Sequence, residues 1–267
     1  MPSISSSDHL ESAFYREVMQ IIHSAQVPYL VGGAFALYQY TGIKRMTKDL
    51  DLFVLPGDFS RVLDVCAAAG FGTQVRFTHW LGKVFREHHV IDIIFGSANG
   101  LCTVDSDWFI HATPGEVFEL PVQFCPPEEM IWSKAFVMER DRFDGADVVH
   151  LMNMTGRTIN WPRLLGRFHS HWRVLFSHLI LFGFVYPSER SKIVWLMTEL
   201  VQRLQSEMTS TPPQARLCQG TLLSWSQYLS RMEQEDYVDA RHVPRGNLNK
   251  KEIDAMNNAF REHEEKE

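Results

Sequence analysis

The chain has 267 residues, of which 45% are hydrophobic, 12% aromatic and 22% charged, and its formal net charge is −6. That is enough apolar material for one large core or two modest ones, and the acidic balance excludes a protein that grips nucleic acid by global positive charge, leaving only a local basic groove open. Cys66, Cys102, Cys125 and Cys218 are scattered without a CxxC pair, which argues against a zinc ribbon or thioredoxin-type site and for free thiols in a reducing cytoplasm.

Residues 1–7 are polar and carry no secretory leader, so a cytoplasmic protein is expected. Ser7 and Asp8 offer an N-cap, and Leu10, Phe14, Val18, Ile21 and Ile22 recur at helical spacing, predicting a helix that ends near Ala25. Residues 27–31 read as a short buried strand, Gly32-Gly33 as a turn, and 34–40 as a helix stopped by Gly42. A strand over 50–55 is broken by Pro56-Gly57 and followed by a helix over 59–69, closed by Gly70. The period then changes: 74–78 and part of 83–86 alternate, and 90–95 is a β-branched strand ending at Gly96. Residues 97–113 show no legible pattern, while 117–124 predict one or two strands interrupted by Pro121.

Pro126-Pro127-Glu128-Glu129 is a helix-start signal with acids in the first turn. From there the pattern predicts helices over 127–139, 144–154, 161–170, 172–185, 188–206 and 219–232, with a loop at Pro212-Pro213. The most apolar run, 174–186, is shorter than the roughly 18–20 residues that span a bilayer and contains Ser177 and His178, so it reads as a buried helix with no membrane role. After Tyr237 the chain turns polar, and 261–267 are expected to fray or be disordered. The expected fold is α+β: a small mixed β-sheet domain with flanking helices over 1–125, an all-helical domain over 126–238, and a polar, partly disordered tail over 239–267.

Asp49 and Asp51 stand at i, i+2 at the start of an apolar strand, which sends both side chains to one face. Two acids there repel each other unless a cation lies between them, and a pair of divalent metal ions is the obvious candidate. The upstream pair Gly32-Gly33 lets backbone N–H groups approach a phosphate without steric block. Asp92 is the lone acid in Ile91-Asp92-Ile93. Were its strand to lie beside that of Asp51, three carboxylates would converge, an oxygen-rich set that suits Mg²⁺ or Mn²⁺. There is no GxxxxGK[ST] loop and no GxSxG elbow, which argues against P-loop NTPases and α/β-hydrolases.

Together, Gly32-Gly33, Asp49-x-Asp51 and the apolar-Asp92-apolar strand resemble the nucleotidyltransferase superfamily related to DNA polymerase β. The fuller string, Val-Gly-Gly-Ala-Phe-Ala-Leu followed by Arg45-x-Thr47-x-Asp49-Leu-Asp51-Leu, is most similar to the abortive-infection (AbiEii-like) toxin branch and neighbouring bacterial nucleotidyltransferases, over about residues 28–96. A weaker similarity runs through Lys134, Arg140, Arg142, Gly145 and Asp147.

The resemblance implies transfer of a nucleoside monophosphate from a nucleoside triphosphate (NTP), with ATP among the candidates, to an acceptor hydroxyl. Asp49 and Asp51 would bind two metal ions, and Asp92 would bind the catalytic one and help deprotonate the acceptor. Gly32 and Gly33 would hold the triphosphate through the backbone, Arg45 and Thr47 would lie near its β/γ-phosphates, and Lys134 would offer it a point charge. The acceptor stays open between a tRNA 3′ end, a protein hydroxyl and a small molecule such as an antibiotic. A partner protein from a toxin–antitoxin pair is also implied. The alternative is a catalytically silent member that binds or regulates.

Arg76, Lys83 and Arg86 either line a groove near the acids or form solvated strand faces. His88-His89 reads as a hairpin edge, and His169 and His171 as core or surface residues rather than metal ligands. Trp132, Trp161, Trp172, Trp195 and Trp225 read as packing among helices. Asp144 reads as structural, and Asp147 as either a site residue or an ion-pair partner.

Overall fold

Alternation along the central strands decides the layering of the first half of the chain. The computed structural model describes residues 6–45, 47, 49–211 and 216–264, and the chain divides into two compact units, Met1–Pro126 and Pro127–Glu267. The first unit runs α1 (Ser6–Ser24), β1 (Leu30–Val31), α2 (Gly33–Thr41), β2 (Asp49–Phe53), α3 (Phe59–Ala68), β3 (Gly72–Phe77), β4 (Leu81–Arg86), β5 (His89–Ile94), α4 (Ser106–Ile110), β6 (Thr113–Val117) and β7 (Leu120–Phe124). Seven described strands make one mixed sheet in the order β3-β4-β5-β2-β1-β7-β6. It is parallel at β2–β5 and β1–β7 and antiparallel elsewhere.

Leu50, Leu52, Val84, Ile91 and Ile93 point to one face and are fully buried. Helix α3 covers that face so closely that a Cβ at Gly82 would overlap the Phe59 ring. Helix α1 joins it through Phe14, whose ring lies 5.7 Å from Phe71 and 5.8 Å from His89. The opposite face carries Asp49, Asp51, Asp92 and Lys83, all half-buried. Further along that face Phe53 and Ile94 are buried, and the Phe53 ring stacks 5.2 Å from Trp108 of α4. The polar end of this face is therefore the more open one.

Helix α4 lies in the stretch without a legible pattern. At five residues it is too short for periodicity, and its start is set by the Asp105 carboxylate, which accepts from the Asp107 N–H at 3.0 Å. Pro121 is tolerated inside β7 because β1 is only two residues long and reaches β7 only at Phe124.

The second unit comprises α5 (Pro127–Ala135), α6 (Gly145–Thr155), α7 (Trp161–Phe168), α8 (Trp172–Val185), α9 (Val194–Met208), β8 (Leu217–Cys218), α10 (Trp225–Glu235), β9 (Val238–Asp239) and α11 (Lys250–Glu264). It is helical but for β8 and β9, which pair in parallel. The helix expected over 127–139 stops at Ala135, after which Met138 and Phe143 bridge. The one expected over 188–206 begins at Val194, the Pro187–Lys192 stretch being a 3-10 turn.

The region read as a polar tail instead holds α11, docked through the buried pair Ile253 and Met256, a spacing of three that is enough to anchor an otherwise polar helix. Its backbone continues to Glu264, while residues 265–267 and the loop at Pro212-Pro213 lie outside the described residues. Helix α8 is not buried all round: Leu175, Leu179 and Phe182 are fully buried, but Ile180 and Phe184 are 54% and 83% exposed. Trp195 is likewise 47% exposed, so it is not a packing residue between helices. Among the described residues no helix is long and apolar enough to cross a membrane.

Candidate active site

Strands β2 and β5 run parallel with Asp51 opposite Asp92 and Asp49 opposite Val90. Residues in register on neighbouring strands, and residues two apart on one strand, project to the same face. Asp49, Asp51 and Asp92 therefore share the half-open face of the sheet. The row through Asp51 extends across four strands: Asp92 is opposite Lys83 of β4, and Lys83 is opposite Gln74 of β3. On the other side, the Gly32 N–H donates to the Asp51 carbonyl at 2.9 Å, so the row ends at the glycine turn.

The turn is tight enough to need both glycines. A Cβ at Gly32 would overlap the ring of Phe53, and one at Gly33 would overlap the Asp51 carboxylate, within 2.7 Å of its Cγ. Gly33 also holds a φ of +53°, a left-handed conformation that only glycine adopts at little cost. The Asp51 carboxylate thus lies against the first turn of α2. That helix has no acidic residue of its own there, and its N-terminal partial charge favours an anion.

Each acid has a close neighbour. Thr47 Oγ1 lies 2.9 Å from both the carbonyl oxygen and Oδ1 of Asp49, and Lys83 Nζ lies 2.8 Å from Asp92 Oδ1. Arg45 is exposed two residues before Thr47, while Met46 and Lys48 lie outside the described residues. Tyr15 of α1 is buried and donates to Glu11 Oε1 at 2.8 Å. Burial, then the Glu11 bond and the charges of Glu11, Asp49 and Asp51, push its phenol well above the usual tyrosine range, so it stays a neutral donor near the acids. In the sequence Tyr15 is indistinguishable from the apolar stripe of α1, and nothing there marks it.

The three carboxylates have the chemistry for a divalent cation, being oxygen donors on one partly solvated face. Among the described residues no group of three His, Cys, Asp or Glu side chains is already placed to hold a metal ion.

The remaining named residue, Lys134, belongs to the second unit. Its Nζ lies 3.0 Å from Asp144 Oδ2 and 2.9 Å from Asp147 Oδ2, and its side chain is 15% exposed. Burial works to raise the Asp144 carboxyl, but Lys134 and Arg142 outweigh it and hold it below the usual carboxylate range. Lys134 is thus the centre of an ion-pair cluster that ties α5 to the start of α6. Elsewhere, Arg86 is held by Glu17 at 2.8 and 3.2 Å, and the rings of His88 and His89 meet at a tilt of 45° at the β4–β5 hairpin, with centroids 4.1 Å apart.

No protein-family model matches the sequence, and no curated protein matches it. The solved structures it resembles include nucleotidyltransferases. The antibiotic-resistance factor ANT(2'')-Ia, in its solution structure, aligns at 14% identity over 64% of this chain and 97% of its own, with a TM-score of 0.44. The lincomycin-bound lincosamide antibiotic adenylyltransferase LnuA aligns at 17% identity over 54% and 97%, with a TM-score of 0.38. An antigenic nucleotidyltransferase-like protein from Paracoccidioides brasiliensis aligns at 16% identity over 70% and 93%, with a TM-score of 0.45.

Proposed function

We propose that this chain is a metal-dependent nucleotidyltransferase that moves a nucleoside monophosphate from an NTP to an acceptor hydroxyl and releases pyrophosphate. The observation that carries the reading is the register of Asp51 with Asp92. It sets two carboxylates side by side, with Asp49 one pleat away on the same face and the glycine turn at the end of the row. Asp49, Asp51 and Asp92 would hold two Mg²⁺ or Mn²⁺ ions, which when bound lower the pKa of an acceptor hydroxyl and offset charge on departing pyrophosphate.

The work of the chain itself is placement. Gly32 and Gly33 keep side chains away from the first turn of α2, whose N–H groups suit phosphate oxygens. Thr47 offers a hydroxyl beside Asp49, and Arg45 an exposed cation nearby in sequence. Asp92 takes the role of receiving the acceptor's proton, since it stands at the end of the acid group away from the phosphate-binding turn. The spacing of Gly32-Gly33, Arg45, Thr47, Asp49 and Asp51 favours the abortive-infection branch. tRNA 3′ ends, proteins and antibiotics therefore form the acceptor panel, and a partner protein belongs among the candidates.

The test is incubation with each α-labelled NTP, Mg²⁺ or Mn²⁺, and that panel. The expected result is label on one acceptor with pyrophosphate released, and a loss of about a hundredfold or more in Asp51→Asn with the circular dichroism spectrum unchanged. Undiminished transfer by that variant, or release of inorganic phosphate in place of pyrophosphate, would refute the assignment.

A further inference from the structure

The ion pair between Lys83 and Asp92 has no task in the reaction as set out. We propose that Lys83 is a built-in counter-ion of Asp92 when no metal is bound, and that it must leave Asp92 before a divalent ion can enter. The inference rests on the nucleotidyltransferase reading and adds a control element to the same site.

Lys83, Asp92 and Asp51 stand opposite one another on three consecutive strands, β4, β5 and β2. A lysine at this register position faces the same side as both acids, and Nζ reaches Asp92 Oδ1 at 2.8 Å. The side chains of Lys83 and Asp92 are 30% and 14% exposed, so water screens the pair only partly. Asp92 also faces the like charge of Asp51 on the adjacent strand. The ammonium offsets part of that repulsion and occupies the Asp92 oxygen that a metal ion would need.

The residue type also fits departure. Lysine carries a point charge on a flexible four-carbon stem, unlike the planar fork of arginine. Beyond Lys83 in the row lies the exposed Gln74 on β3, the last strand of the sheet, so the stem can swing outward toward solvent. Arg86, on the same strand, is engaged by Glu17 and supplies a control for the mere loss of a positive charge.

The experiment is a Mn²⁺ titration without nucleotide, followed by electron paramagnetic resonance or calorimetry, on wild type, Lys83→Met, Lys83→Arg and Arg86→Met. Removing a competing, partly exposed ion pair should tighten Mn²⁺ binding by about three- to fivefold in Lys83→Met. Arg86→Met should stay within about twofold of wild type, while Lys83→Arg, whose fork leaves Asp92 less readily, should bind Mn²⁺ no more tightly than wild type. Lys83→Gln gives the same reading should methionine destabilise the sheet. Lys83→Met affinity equal to or below wild type, while Asp92→Asn abolishes binding, overturns the role of Lys83 alone. Absence of Mn²⁺ binding in every variant overturns both this role and the metal-site reading.

Discussion

Gly33 is the position where one added methyl group would do the most damage. Its φ of +53° and the Asp51 carboxylate packed against it leave no room for a Cβ. Gly33→Ala should destabilise the chain by about 1–3 kcal/mol and displace Asp51, so that transfer falls with it; a variant with the wild-type urea midpoint and full transfer would contradict this. The glycine pair and the i, i+2 acids are legible in the sequence because their logic is local: a turn that needs positive φ, and a two-residue repeat that fixes a face. Lys83 and Tyr15 are not assignable in the same way. Whether Lys83 meets Asp92 depends on how β4 registers with β5, and the environment of Tyr15 on how α1 packs, and neither is written in the neighbouring residues.

At the scale of elements, the second unit is joined by charges as well as by apolar faces. Arg163 of α7 reaches Glu128 at 2.7 Å and also pairs with Glu129, both acids being buried on α5, and Arg167 adds a contact to Glu129 at 3.0 Å. Breaking a buried pair strands its partner, so Arg163→Met should cost about 3–5 kcal/mol; a urea midpoint within error of wild type would show that the network carries no such weight. His178 of α8 gives the same unit a pH dependence. Its Nε2–H donates to the Ala135 carbonyl at 2.9 Å, and burial, against that bond, lowers its pKa below the usual 6.5. Below that pH the unfolded chain takes up a proton that the folded one refuses, so stability present above pH 6.5 is lost as pH falls, by at most about 1.4 kcal/mol per unit. Between about pH 7.5 and 5.5, on either side of that ordinary value, the urea midpoint of His178→Gln should drop less than that of wild type; equal drops would rule His178 out. The long amphipathic helices are readable from their periodicity, whereas α4 and the β8–β9 pair are not, because elements of two to five residues carry no period.

At the scale of the whole molecule, binding of a triphosphate with its metal is the quantity that links site to stability. A ligand at about a hundred times its dissociation constant stabilises the folded state by about 2.7 kcal/mol. ATP or another NTP with Mg²⁺ should therefore raise the melting temperature of this 267-residue chain by a few degrees, and Mg²⁺ alone by less. A chain that keeps the fold as a silent scaffold would show no shift with either. The strand order that sets Asp92 beside Asp51 belongs to this scale too. Helix α3 and strands β3 and β4 intervene in the chain between β2 and β5, yet β5 lies next to β2. The pairing is decided by two apolar strands that bury one face together, Leu50 and Leu52 with Ile91 and Ile93. Either strand alone predicts a buried face; which neighbour shares it is set only when the whole sheet assembles.

The most direct measurement is the number of Mn²⁺ ions bound per chain in the presence of a non-hydrolysable triphosphate, compared between wild type and Asp92→Asn. If Asp49, Asp51 and Asp92 act as one cation-holding group, wild type binds two ions and Asp92→Asn loses at least one of them. Equal binding by the two proteins would mean that Asp92 holds no metal, and the account of the site would fail.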